Sequence, residues 1–236
     1  MPLFHFADRS VFFGHIPKTG GSSVEEFLTP HAESVELLDN GWTQKWRRKG
    51  GHLDPQNRVS PQHRTLPEVC DQISPDTLRF VIVRDPMARI VSEYRYQSQR
   101  NWRRKLLGRI GFSRWLRICL AAYEADPNFM DGHFRPQHLY IDQETKVFRL
   151  EDGMEKVRDW LTDTLPIGRG LTIGHEKRAA SKNVKPSNKD RALVALFYRE
   201  DYRVLGYDSP GPAGSIGPLS HIVGRWLARK YAAGQL

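Results

Sequence analysis

Lys18, Thr19, Ser22 and Ser23 crowd around the pair Gly20-Gly21, and that spacing suits the binding of an anion such as a phosphate. The apolar run Val11 to Ile16 reads as a short buried strand. Pro17 and Gly20-Gly21 then force a tight loop, and Val24, Phe27 and Leu28 fall at helical spacing behind it, with Ser22 or Ser23 as the N-cap. Glycine backbone lets N–H groups converge at a helix N-terminus, where the helix dipole adds partial positive charge. Lys18 supplies a full charge, and Thr19, Ser22 and Ser23 supply hydroxyl donors. A second constellation follows the clearest buried strand, Leu78 to Val83, which runs directly into Arg84-Asp85-Pro86-Met87-Ala88-Arg89-Ile90-Val91-Ser92-Glu93-Tyr94. Pro86 marks a helix start, and Ile90, Val91 and Tyr94 give that helix an apolar face. Arg84 offers a bidentate fork and Ser92 a neutral donor, a pair suited to clamping one phosphate. Asp85 and Arg89 read as a local structural ion pair.

The nucleoside-triphosphate loop G-x-x-x-x-G-K-[ST] places its lysine after the glycines, beside a magnesium-binding hydroxyl. Here Lys18 precedes them and no lysine follows. His15-Ile16-Pro17-Lys18-Thr19-Gly20-Gly21-Ser22-Ser23 instead closely resembles the 5′-phosphosulfate loop of the sulfotransferases, above all the carbohydrate branch related to heparan sulfate 2-O-sulfotransferase. The stretch from Arg84 to Tyr94 is similar to that family's 3′-phosphate motif R-D-P-x-x-R-x-x-S-x-Y at every named position. The resemblance implies a P-loop-containing nucleotide-hydrolase-like three-layer α/β fold with a central, mostly parallel sheet and ligand at the strands' carboxyl ends. It also implies a transferase moving a sulfuryl group from 3′-phosphoadenosine 5′-phosphosulfate (PAPS) to an acceptor hydroxyl. The acceptor would be a carbohydrate, as a glycan or glycolipid; no metal would be needed.

The family's motifs carry roles onto individual positions. Pro17, Lys18, Thr19, Gly20, Gly21, Ser22, Ser23, Arg84 and Ser92 would bind the nucleotide, with Lys18 also neutralising the leaving group. The Gly-His pair at Gly51-His52 lies between the phosphosulfate loop and the next strand, where the family has its base, so His52 is the expected general base, with His133 as its competitor. His133, Arg135 and Gln137 resemble the H-[FW]-x-P-Q element of carbohydrate sulfotransferases and are expected to bind the acceptor, although His133 could equally brace its own loop. A late loop of the family closes over the nucleotide, which brings in Arg178 or Lys182. Tyr198, Asp201, Tyr202, Gly206 and Tyr207 resemble the family's closing signature and read as packing.

The elements that must position these residues are a coarser reading. A chain of 236 residues predicts one α/β domain with a sizeable core, here taken as 1–208, followed by a Pro/Gly linker and short helix in 209–236. Lys and Arg number 36 against 27 acidic residues, a net charge of +9 that favours anionic ligands. The basic residues are scattered and carry no nucleic-acid motif, so a nucleic-acid partner is not expected. Cys70 and Cys119 read as buried thiols of a reducing compartment rather than a disulfide. No apolar run approaches the length of a membrane span and no leader is evident, which predicts a cytoplasmic protein.

In order, Met1 to Ser10 reads as a polar lead, Ser34 to Asp39 as a strand, and Asn40 to Gln72 as a long irregular functional stretch. Arg100 to Arg109 is a basic run, either a solvated face or a rim for an anion. Helices are expected over Phe112 to Ala125, Glu151 to Leu165 and Ala192 to Asp201, with a strand over Lys146 to Leu150. The basic helix His221 to Ala233 docks on the domain or a second subunit, or touches a membrane through Arg225, Trp226, Arg229 and Lys230. Two other classes compete: a P-loop kinase or phosphotransferase, and a non-catalytic polyanion-binding module.

Overall fold

The structure, a computed structural model, describes residues 1–38, 59–99, 110–168, 172–174 and 184–234. Its strands are β1 (Leu3–His5), β2 (Ser10–Gly14), β3 (Ser34–Glu36), β4 (Leu78–Val83) and β5 (Lys146–Arg149). Its α-helices, among the described residues, are α1 (Gly21–Leu28), α2 (Pro86–Gln99), α3 (Phe112–Ala125), α4 (Met154–Thr164), α5 (Asn188–Phe197), α6 (Arg199–Leu205) and α7 (Pro218–Ala232). Described residues 1–38, 60–84, 139–168 and 172–174 form one compact unit, and 59, 85–99, 110–138 and 184–234 form another.

The first unit is built on one sheet of order β3-β1-β2-β4-β5. β2 pairs in parallel with β4, Phe13 opposite Phe80, and β4 in parallel with β5, Val81 opposite Val147. β1 is antiparallel to both β2 and β3. The sheet is therefore mixed, and the expectation of a mostly parallel one is corrected. The polar lead is the reason: Leu3, Phe4 and Phe6 are buried, and Phe6 N–H donates to the Arg9 carbonyl at 2.9 Å to close a hairpin, which only antiparallel strands allow.

Alternation along the strands puts Val11, Phe13, Phe80 and Ile82 on one face. There they pack with Val24, Phe27 and Leu28 of α1 and with Met154, Val157 and Leu161 of α4. Each such side chain removed from water contributes roughly 1.5–3 kcal/mol. α4 starts at Met154, later than the expected Glu151, because Gly153 at φ 94° breaks the chain direction just before it.

In the second unit, α3 spans the expected Phe112–Ala125 and buries Trp115 between Tyr94 and Phe134, at ring-centroid distances of 5.1 and 5.7 Å. The helix expected over Ala192 to Asp201 is two helices, α5 and α6, parted at Tyr198 (φ −103°, ψ 30°). The buried Tyr198 hydroxyl donates to the Phe134 carbonyl at 2.9 Å, a tertiary bond that the local pattern does not contain. Ser187 caps α5 by accepting from Asp190 N–H. Cys119 is buried, but Cys70 is exposed in a short 3₁₀ turn, so the reading of two buried thiols holds for one; no disulfide joins them. No helix among the described residues is long and apolar enough to cross a membrane.

Candidate active site

The loop between β2 and α1 is where the chain's chemistry concentrates. Lys18 adopts φ 72°, a left-handed backbone rare for a side-chain-bearing residue, and Gly20 follows at φ 95°. These two reversals turn the chain so that α1 starts at Gly21 with Gly20 as its N-cap and no side-chain cap. Ser22 and Ser23 thus sit in the first turn rather than at the cap expected of them. Ser23 N–H bonds back to the Gly20 carbonyl at 3.1 Å, while the leading N–H groups of a helix, here Gly21 and Ser22, have no intrahelical acceptor. Ser22 is exposed, and Ser23 and Pro17 are buried.

Thr19, a hydroxyl donor by expectation, donates within its own loop in this structure. Its side chain is buried and donates to the Ile16 carbonyl at 2.8 Å, so its proton holds the loop in shape. Arg84 stands at the carboxyl end of β4, the parallel neighbour of β2, and so at the same edge of the sheet as the loop. Its Nη1 donates to the Lys18 carbonyl at 3.4 Å, which brings the expected 5′ and 3′ phosphate ligands Lys18 and Arg84 together. Ser92 lies half-buried on α2.

Beneath the loop lies a cluster that the sequence reading did not assign. His15 is 6% exposed and its Nδ1 donates to the Glu25 carboxylate of α1 at 2.5 Å. Burial pushes the His15 imidazole down, toward its neutral form, against the pull of Glu25. Burial would raise Glu25, but His15 and His63 outweigh it and hold the carboxyl below its usual range. A neutral imidazole donating from Nδ1 to a carboxylate satisfies both directions. The opposite edge of the ring lies against Gly21, where a Cβ would come within 2.3 Å of Nε2. Gly21 is therefore needed for close approach, and Gly20 for backbone sign. The buried His63 ring meets His15 edge-on at 5.1 Å, with Ser60 Oγ at 3.1 Å from its Nδ1. His63 lies in the irregular stretch 40–72, and that position was its only signal in the sequence.

The H-F-R-P-Q loop occupies the second unit and faces inward more than expected. Arg135 and Gln137 are buried. Arg135 Nη2 donates to Asn128 Oδ1 at 2.7 Å and its Nε to the Pro127 carbonyl at 3.3 Å. The Arg135 side chain thus braces the loop from within, and Gln137 is buried beside it. His133 braces it, Nδ1 to the buried Glu93 carboxylate at 2.8 Å. The expected Asp85–Arg89 ion pair is also replaced. Asp85 Oδ1 accepts from Ala88 N–H at 2.7 Å, capping α2. Arg89 donates to the carbonyls of His133 and Arg135 at 3.1 and 2.9 Å and lies over the Tyr198 ring. Asp201 accepts from the N–H groups of Gln137 and His138 and from His138 Nδ1, at 2.8, 2.9 and 2.7 Å. The closing signature is thus packing with a specific object, this loop.

The family model described as "Sulfotransferase family" matches residues 2–208. The chain belongs to the sulfotransferase family. No curated protein and no solved structure matches it. Sulfuryl transfer is the activity of this family, and the matched span contains both phosphate motifs, the H-F-R-P-Q loop and the closing signature. His52, Arg178, Lys182 and the basic run Arg100 to Arg109 lie outside the described residues.

Proposed function

We propose that this sulfotransferase uses PAPS as donor and a hydroxyl of a carbohydrate as acceptor. The observation that carries the reading is the Arg84 bond to the backbone carbonyl of left-handed Lys18, which sets the guanidinium against the loop that leads into α1. The donor types suit a doubly phosphorylated nucleotide: backbone N–H groups and Lys18 for the 5′ side and Arg84 for the 3′-phosphate, with Ser92 proposed on its motif position alone. No divalent ion is required by such a set, since the cations come from side chains.

In this reading a histidine takes the proton of the acceptor hydroxyl, whose oxygen forms the new bond to sulfur as the sulfur–oxygen bond to the 5′-phosphate breaks. Lys18 neutralises the charge growing on the departing phosphate oxygen. His52 is the proposed base on its motif position. His63 is a second candidate, because its ring packs on His15 at the foot of the phosphate loop. A reducing, cytoplasmic location belongs to the same proposal, and the two unbridged cysteines support it.

Calorimetry tests the donor. An arginine–phosphate contact contributes about 1.5–3 kcal/mol. Adenosine 5′-phosphate should therefore bind at least about tenfold more weakly than 3′-phosphoadenosine 5′-phosphate. Arg84→Ala should erase that preference. Equal affinities of the unsubstituted enzyme for the two nucleotides would refute the donor assignment. Labelled sulfate transfer to a panel of glycans, glycolipids and small alcohols tests the acceptor, and transfer to the alcohols alone would overturn the carbohydrate reading.

A further inference from the structure

Helix α7, Pro218–Ala232, lies beyond the span matched by the family model and carries two apolar faces where a docked surface helix needs one. Its inner face is buried through Gly224, Leu227, Ala228 and Tyr231. Contact with α3 is so close there that a Cβ on Gly224 would meet the Ala121 Cβ at 2.7 Å and the Ala122 nitrogen at 2.8 Å. Tyr231 also meets the Phe129 ring edge-on at 5.6 Å. That face accounts for the helix's place in the fold.

The outer face is the unexplained one. Leu219, Ile222 and Trp226 recur at i, i+3 and i+7, and are 63%, 59% and 47% exposed. At about 100° per residue these three side chains fall within one narrow sector. Arg225 and Arg229, both exposed, project along one side of that stripe. A large aromatic and two aliphatic side chains in a row, flanked by cations, are what a helix lying in a bilayer interface presents. The apolar row enters the headgroup boundary while the cations meet lipid phosphates. A protein partner with an apolar groove would explain the stripe but not the arginines that border it, nor the excess of nine positive charges over the chain.

We infer that the outer face of α7 is a docking surface for an anionic membrane, on which the protein binds peripherally without spanning it. Apolar insertion and charge attraction are both needed, because either alone gives weak, reversible binding. The inference concerns binding only, so its test stands or falls separately from the donor and acceptor assignments.

The full chain is pelleted with vesicles of pure phosphatidylcholine and with vesicles holding about a third phosphatidylglycerol. Binding is expected to the anionic vesicles, falling as salt is raised. Each basic residue near such a surface is worth roughly a fivefold factor, so the double variant R225Q/R229Q should bind about 30-fold more weakly. Ile222→Ser with Trp226→Ser should abolish binding while leaving the melting temperature within a few degrees, since both positions are exposed. The proposal is overturned if the unsubstituted chain does not pellet, or if both double variants pellet as well as it does. It is also overturned if the serine variant only converts a dimer to a monomer by light scattering, which would make the stripe a self-association surface.

Discussion

Replacing Gly21 by alanine sets two physical arguments of opposite sign against each other. Helix propensity favours the change: alanine in place of glycine stabilises a helix by up to about 1 kcal/mol. The packing opposes it. The new Cβ would lie 2.3 Å from His15 Cδ2 and Nε2 and 2.8 Å from Cε1. The imidazole cannot swing away cheaply, being held by Glu25 on one side and packed against His63 on another. Overpacking of this kind costs typically about 1–3 kcal/mol, so the net should be destabilising by roughly 1–2 kcal/mol. In a chain of this size that lowers the melting temperature by about 2–8 °C. Calorimetric melting and 3′-phosphoadenosine 5′-phosphate titration of Gly21→Ala read both consequences, since a displaced His15 also displaces the loop. Adding Gly21→Ala to a His15→Ala background should cost nothing, because the ring it strikes is gone. A Gly21→Ala protein that melts higher than the unsubstituted chain, with unchanged nucleotide affinity, would refute the packing argument.

The same cluster predicts acid sensitivity. Burial depresses the His15 imidazole below its ordinary 6.5, so the unfolded chain binds that proton more readily; stability is full above pH 6.5 and lost as the pH falls below it. Glu25, also depressed, adds a further loss as the pH falls below its ordinary 4.5. Melting curves between pH 7 and 4 should therefore fall more steeply for the unsubstituted chain than for His15→Gln, and parallel curves would count against the cluster. Asp201→Asn replaces a carboxylate that accepts three N–H bonds with a group that turns donors against them. It should cost about 3 kcal/mol or more, and an unchanged melting temperature would show that the loop is held elsewhere. Single-turnover sulfate transfer separates the histidines. His52→Ala should lose about 10²–10⁴-fold with nucleotide affinity intact, whereas His133→Ala should chiefly raise the acceptor's KM. Full activity in His52→Ala with loss in His63→Ala would transfer the base to His63.

The sequence by itself determined what depends on neighbours along the chain. The strand–loop–helix around Lys18 was legible because Pro17 and Gly20-Gly21 can only turn, while Val24, Phe27 and Leu28 can only serve one helix face. Helix α3 was legible to the residue for the same reason, and the sulfotransferase family was legible in two phosphate motifs. The tertiary structure decided what depends on residues far apart in the chain. The hairpin that makes the sheet mixed is short and apolar and has no period to detect. Arg89 stands four residues from Asp85, the spacing of a local pair, yet carbonyls 44 and 46 residues away take its protons. Thr19 and Arg135 hold carbonyls and a side chain of their own loops, bonds that the local pattern does not announce. His15, Glu25 and His63 have no common motif. Only folding brings them together, where low exposure, one hydrogen bond and one ring contact make three ordinary residues into the footing of the loop between β2 and α1.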